Sequence, residues 1–303
     1  MSYARTLDMP AATALQPGIL RPPSQLGRSL SFRLAYDADP RAALARLREA
    51  FDPARGVVGV GAPLVAALGR TIAGLRPFPA LAGPGGSVPS TQQALWLFLH
   101  AADRSALFDA AAPLLPALAE VGLVVEDAMD TFVYAGGRDL TGFEDGTENP
   151  KGEAARAAVL AEGGVPAGSS FVAVQRWVHD LRRFGRFPAE RQDAVIGRRR
   201  EGNDEIEDAP RSAHVKRTAQ ESFEPPGFMV RRSMPFESGG ASGLEFIAFV
   251  ASLDRFERML ERMLGRQDGI VDGLFSFSRP VTGGYYFCPP VSAGRLDLAG
   301  LGL

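Results

Sequence analysis

Residues 29–51 read SLSFRLAYDADPRAALARLREAF, and the passage changes its period halfway along. Phe32, Leu34 and Tyr36 fall at every second position, the period of a strand buried on one face. Asp39-Pro40 then supplies an N-cap and a first-turn proline, and Leu44, Leu47 and Phe51 follow at helical spacing. A Val/Gly strand, GVVGVG at 56–61, comes next. Beyond a Gly/Pro-rich loop, residues 94–136 repeat the order strand, helix, strand. The first half therefore reads β-α-β-β-α-β, a ferredoxin-like pattern. In the second half GLEFIAFVASLDRFERMLERML (243–264) is again a strand leading into a helix, with Phe256, Met259, Leu260, Met263 and Leu264 on one face. Internal duplication and convergence on a common β-α hairpin both account for the echo. The expected architecture is α+β, two ferredoxin-like domains with antiparallel sheets: an N-terminal arm over 1–28, a first domain over 29–137 and a second over 138–303.

A chain of 303 residues is long enough for about two domains with cores of their own. No apolar run is long enough to span a bilayer, so no membrane role is indicated. The first twenty residues include Asp8 and Pro10 and have no continuous apolar core, so they do not read as a secretory signal, and a cytoplasmic location is the default. The formal charge of −2 argues against general affinity for nucleic acid, with IGRRR (196–200) and VKR (215–217) as the local exceptions. One cysteine, Cys288, and three histidines exclude an intramolecular disulfide and Cys-rich zinc sites. Any metal must rely on His and carboxylate, or arrive inside a cofactor.

Few residues stand out as chemistry. His100 ends an apolar strand and reads as a hydrogen-bonded terminus, and His179 reads as closing another strand. His214 differs: it lies among polar loop residues in DAPRSAHVKRTAQ (208–220), where a ligand or catalyst and a solvated loop histidine are both open. In GFMVRRSMPFES (227–238), Arg231 and Arg232 are adjacent on an expected strand and so point to opposite faces. One must face inward and find a carboxylate or an oxygen-bearing ligand. Arg198, after the apolar AVIG, either belongs to a solvated run or neutralises an acidic group of a cofactor. TGFEDGTENP (141–150) is a shaped loop, with Gly142 and Gly146 suited to φ > 0 and Asn149-Pro150 forcing its exit. Asp145 at its centre is either a turn-former or a working acid.

Several of these blocks together resemble one family. GFEDGTENP fits the Gly-x-x-Asp-Gly motif of the dye-decolorizing peroxidases, and SFVAVQRWVHDL, AVIGR, SAHV, VRRSMPF and RPVTGGYYFCPP follow in the same order over residues 138–290. Length and the lack of a signal are similar to the compact bacterial B-type subgroup. The resemblance implies one haem b per chain, held mainly by the C-terminal domain. It makes His214 the proximal ligand of the iron and Asp272 the carboxylate behind it. It also implies that Arg198 pairs with a haem propionate, that Asp145 and Arg231 act on the opposite face, and that Ser233, two residues beyond Arg231, looks into the same pocket. Gly146 and Phe246 are the further expected haem contacts.

The activity so implied is reduction of hydrogen peroxide through a ferryl-oxo intermediate, with oxidation of organic donors such as dyes, phenols or porphyrinogens. Asp145 would move the proton between the peroxide oxygens, and Arg231, which stays protonated, would stabilise developing charge. Trp177, Tyr285 and Tyr286 are candidates for carrying electrons from bulky donors near the surface, though a structural role is the better reading of each. Self-association into a homo-oligomer is expected. The segment GRLDLAGLGL (294–303) either packs on its own domain or docks into an encapsulin shell. A protein that binds haem or porphyrin for storage, delivery or iron release is the competing reading; it needs His214 and Arg198 but neither Asp145 nor Arg231.

Overall fold

The computed structural model describes residues 13–303, so the first twelve residues of the expected arm lie outside the described residues. The strand read at 29–36 is β1, Leu26–Leu34. Its first three residues lie inside the expected arm, and it ends before Tyr36, which is fully exposed because Tyr36 and Asp37 already belong to the turn. Asp39 caps α1 (Pro40–Ala50) by accepting the Arg41 N–H at 2.9 Å, and Ala43, Leu44 and Leu47 form its buried stripe. β2 (Gly56–Gly61), β3 (Leu95–Ala101), the helices α2 (Arg104–Ala111) and α3 (Leu114–Ala119), and β4 (Leu123–Phe132) complete the first β-α-β-β-α-β unit.

The second unit repeats it. β5 (Ser170–His179) is followed by a long crossover with α4 (Leu181–Gly185), α5 (Ala189–Ile196) and α6 (His214–Arg217). Then come β6 (Val230–Arg231), β7 (Met234–Ser238), β8 (Ala241–Val250), α7 (Leu253–Met263) and β9 (Gly284–Cys288). The main path through the 10-stranded sheet runs β4-β1-β3-β2-β9-β5-β8-β6, and every pairing along it is antiparallel. Each half therefore has the same internal order, and the halves join where Tyr286 and Phe287 of β9 pair with Gly61 and Val60 of β2.

Strand alternation sends side chains to two faces. On one, Leu30, Phe32, Leu97, Ala173, Ala248 and Tyr285 meet the helices in the larger core. On the other, Trp96, Phe98, Val172, Ile247, Phe249 and Tyr286 pack on one another and on Ile19, Ala158 and Val159. Cys288 lies in this second core, where burial pushes its thiol above the ordinary value. The ends of the sheet are tied together. Thr131 of β4 donates to the Met234 sulfur at 3.5 Å, and Arg176 of β5 binds Asp127 of β4 and Glu245 of β8, the latter at 2.9 Å.

Glu245 is almost wholly buried, and burial raises its carboxyl above the ordinary value against the opposing pull of Arg176 and Ser29. The C-terminal leucines 296, 298 and 301 are buried in the larger core, so they pack on the chain's own fold rather than stand free as a docking strand. Among the described residues, no helix is long and apolar enough to cross a membrane.

Candidate active site

The loop before Pro150 is built by its own hydrogen bonds. Arg138 donates to Gly142 O at 2.8 Å and to Glu144 at 3.0 Å, which turns Glu144 outward. Gly142 and Gly146 have φ of +87° and +73°, values that suit glycine. Asp139 accepts from both the N–H and the hydroxyl of Thr141, and His179 Nε2 reaches it at 3.2 Å. Burial pushes the Asp139 carboxyl up, but His179 and Thr141 outweigh it and leave Asp139 below the usual carboxylate range. His179, expected to close a strand and fix the next turn, also pins this loop to β5.

The loop is pinned at its other end by Asn149. Its side-chain oxygen accepts the Arg231 N–H at 2.7 Å and its amide donates to Arg231 O at 3.1 Å. This two-point bridge joins the loop of Asp145 to the strand of Arg231, and the two side chains meet at 3.6 Å. The sequence signal of Asn149 was its place before proline, which specifies a turn and says nothing of a bridge to residue 231.

Ser233 departs from the expected geometry. The chain leaves strand conformation at residues 232–233, between β6 and β7, so the rule that i and i+2 share a face does not apply. The Ser233 hydroxyl oxygen accepts the Ile247 N–H at 3.2 Å, and the residue lines a cavity of about 160 Å³ that Asp145 and Arg231 line as well. Gly146 and Arg232 line that cavity too. Arg232 donates to the carbonyls of Leu20 and Arg231, so the two adjacent arginines do go separate ways.

On the other side, the crossover delivers His214 at the start of α6. Its Nδ1–H donates to Asp272 at 2.8 Å, which leaves Nε2 as the nitrogen available to a metal. Asp272 is buried, and its second oxygen caps the following 3-10 turn by accepting Leu274 N–H at 2.8 Å. The turn-acid and histidine-partner readings of Asp272 are both true. Arg198 accompanies Glu148 and Glu205 and donates to Asn203 O, while Arg199 and Arg200 are exposed. An anionic cofactor group would have to displace those carboxylates.

His214, Asp145 and Arg231 line two connected lobes. The outer, of about 260 Å³, is bordered by Thr147, Glu148, Arg198 and Lys216. The inner, of about 80 Å³, lies among Trp177, Phe246, Phe256, Leu260 and Leu274. A polar, charged mouth leading to an apolar interior, with one imidazole on its wall, suits a flat apolar ring that bears acidic substituents on one edge. Among the described residues no group of three or more His, Cys, Asp or Glu is placed to hold a metal ion, so a metal bound by His214 would need its other ligands from a cofactor.

Trp177, Tyr285 and Tyr286 are all buried, in line with the structural reading of each rather than with a role near the surface; Tyr285 donates to Glu257 at 3.3 Å. Their alternation in two strands that are covered on both faces is the reason. Gln175 of β5, which sequence reasoning passed over, lines the inner lobe with an unpartnered amide NH2. A lone glutamine in an apolar strand was its only signal.

Comparisons with known proteins point to one family. A family model described as Dyp-type peroxidase, C-terminal, matches residues 136–293. A dye-decolorizing peroxidase of Rhodococcus erythropolis is 35% identical over 276 residues, which is 88% of this chain and 76% of that protein. One from Mycobacterium tuberculosis is 35% identical over 227 residues, 72% of this chain and 67% of that protein. Among solved structures, the dye-decolorizing protein from V. cholerae has a TM-score of 0.80 at 30% identity, covering 94% of this chain and 98% of its own. A variant of DypB from Rhodococcus jostii RHA1, in complex with heme, has a TM-score of 0.80 at 30% identity, covering 89% of this chain and 94% of its own.

Proposed function

This chain belongs to the dye-decolorizing peroxidase family, and on that premise we propose that it is a haem peroxidase in which His214 binds the iron, Asp145 moves the substrate's proton and Arg231 stabilises the charge that results. The observation that carries the reading is the opposition within one cavity of a His214–Asp272 pair at 2.8 Å and an Asp145–Arg231 pair at 3.6 Å. Bound haem b supplies the two electrons that reduce hydrogen peroxide to water and recovers them from organic donors one at a time.

The residues divide that work by their chemistry. Cleaving the O–O bond requires the proton on the inner oxygen to reach the outer one, so that water departs. The Asp145 carboxylate accepts and returns a proton, whereas Arg231 remains a cation and can only stabilise negative charge. Asn149 fixes the distance between them through the backbone of Arg231. Asp272 draws on the Nδ1 proton of His214, which makes the imidazole more basic and orients its Nε2. Arg198 is the cation at the mouth for the acidic edge of the ring, with Phe246 and Phe256 against its apolar body.

A storage protein would need the histidine and the apolar lobe but not the Asp145–Arg231 pair. Stopped-flow mixing of reconstituted protein with peroxide separates the two. Rapid spectral change followed by donor oxidation is expected, with Asp145→Ala slower by about 10²–10⁴-fold. An unreactive wild-type protein that keeps its haem would sink the peroxidase reading.

A further inference from the structure

Gln175 lies in the middle of β5 on the cavity side and is 1% exposed. Its amide oxygen accepts the Trp177 indole N–H at 3.2 Å. An indole N–H only donates, so this contact determines which end of the amide faces the tryptophan. The NH2 group is then left buried without a hydrogen-bond partner among the described residues. A donor stranded in this way is costly unless something carried into the cavity accepts from it. None of the polar residues that share the lobe with it, Asp145, His179, His214 and Thr218 among them, accepts from it, and Leu244, Phe246, Phe256, Leu260 and Leu274 offer no acceptor.

The sheet register locates this donor relative to the proposed machinery. Gln175 pairs with Phe246, Ala173 with Ala248, and Ala248 in turn with Arg231. Paired residues share a face, so Gln175 and Arg231 stand on the same face, two strands apart and two residues along. At about 4.8 Å between strands and about 3.4 Å per residue, their Cα atoms are roughly 12 Å apart. An arginine and a glutamine extended towards each other leave room for a molecule of a few atoms. Both side chains, with Asp145, line the same inner lobe.

We propose that Gln175 is a third polar residue acting on the substrate, its NH2 donating a hydrogen bond to an oxygen of the peroxide beside Asp145 and Arg231. The inference rests on the peroxidase reading. The three groups divide the work: a carboxylate exchanges a proton, a guanidinium holds charge, and a neutral amide, which exchanges no proton, fixes the oxygen's orientation. Trp177 takes part indirectly by holding the amide so that its donor end faces inward.

The test uses the haem-loaded protein and two substitutions that remove the donor, Gln175→Leu and Gln175→Met, the second keeping the chain length. The C–O stretch of the ferrous carbonyl adduct reports donors next to a bound diatomic. It is expected to move to higher frequency in both variants, with the ferric Soret band unchanged. The second-order rate with peroxide should fall about ten- to a hundredfold, as for removal of one directed donor. An unshifted C–O stretch together with an unchanged peroxide rate overturns the proposal. So does a shift confined to the vibrations of the ring substituents, which would place the amide at the ring edge. Failure of the underlying reading looks different, since the wild-type protein itself would then not take up haem or not react.

Discussion

The two halves of the sheet share one strand order and differ in what covers them. Between β1 and β2 the crossover is little more than α1, whose Ala43, Leu44 and Leu47 close directly onto Leu30, Phe32 and Leu97. Between β5 and β6 it spans residues 180–229, and three short helices stand where the first half has one. The strand face beneath carries Gln175, Trp177 and Phe246 on the wall of a cavity. Topology is therefore neutral as to function, and the length and chemistry of one crossover turn a sealed core into a site.

The sharpest test of that contrast is to remove the residue the crossover delivers. His214→Ala is expected to abolish stable haem retention, read as loss of the Soret band after reconstitution and gel filtration. Full retention with an unchanged spin state would mean that the crossover is a cover and not the ligand-bearing element.

The next largest effect concerns what unites the halves. Arg176→Met removes the cation that compensates Glu245 and ties β5 to Asp127 of β4. Breaking a buried pair on one side costs about 3–5 kcal/mol. The pH dependence follows from Glu245, whose carboxyl is already raised by burial and would rise further without Arg176. An acid raised in the fold contributes its stability below its unfolded value and loses it as pH climbs through the folded one. The melting deficit of Arg176→Met should therefore shrink as the pH is lowered towards the ordinary carboxylate range. A deficit independent of pH would show that geometry, not the uncompensated carboxylate, is what the arginine supplies.

A smaller effect is expected within the site itself. Asp272→Asn keeps the shape of the partner but removes the charge behind His214, and haem affinity or peroxide rate should fall about 10- to 100-fold. An unchanged spectrum and rate would reduce Asp272 to its other role, the cap on Leu274 N–H.

What was legible in the sequence follows the same division. Period-2 and helical spacing sufficed for the sealed half, because there each buried face is continuous. In the second half the motif blocks named His214, Asp145 and Arg231 and the family resemblance added Asp272, and the structure brings all four to one cavity or directly behind it. Strand alternation fails for Ser233 because two residues between β6 and β7 leave strand conformation, a break that no local signal announces, yet Ser233 lines a cavity with Asp145 and Arg231. Asn149 and the Asp139–His179 contact were illegible because each joins segments at least 40 residues apart, and spacing along the chain carries no information about such bonds. Trp177, Tyr285 and Tyr286 are buried, which fits their structural reading; a strand pattern rich in aromatics does not by itself distinguish a sheet covered on both faces from one with a solvated face.

The smallest expected effect sets the limit of the comparison. Asp39 caps α1 in the sealed half, through one bond to the Arg41 N–H beside a first-turn proline. Asp39→Ala removes that acceptor and should cost about 1 kcal/mol, seen as a drop of a few degrees in the melting temperature. Haem binding and peroxide kinetics should not change, because α1 packs on β-strands of the first half and the cavity is walled by elements of the second together with the 141–150 loop. If the kinetics changed in proportion to the lost stability, the strand pairing at β2 and β9 would be transmitting local loosening into the site. The two halves would then be one cooperative unit, and the sealed half part of the catalytic device rather than its support.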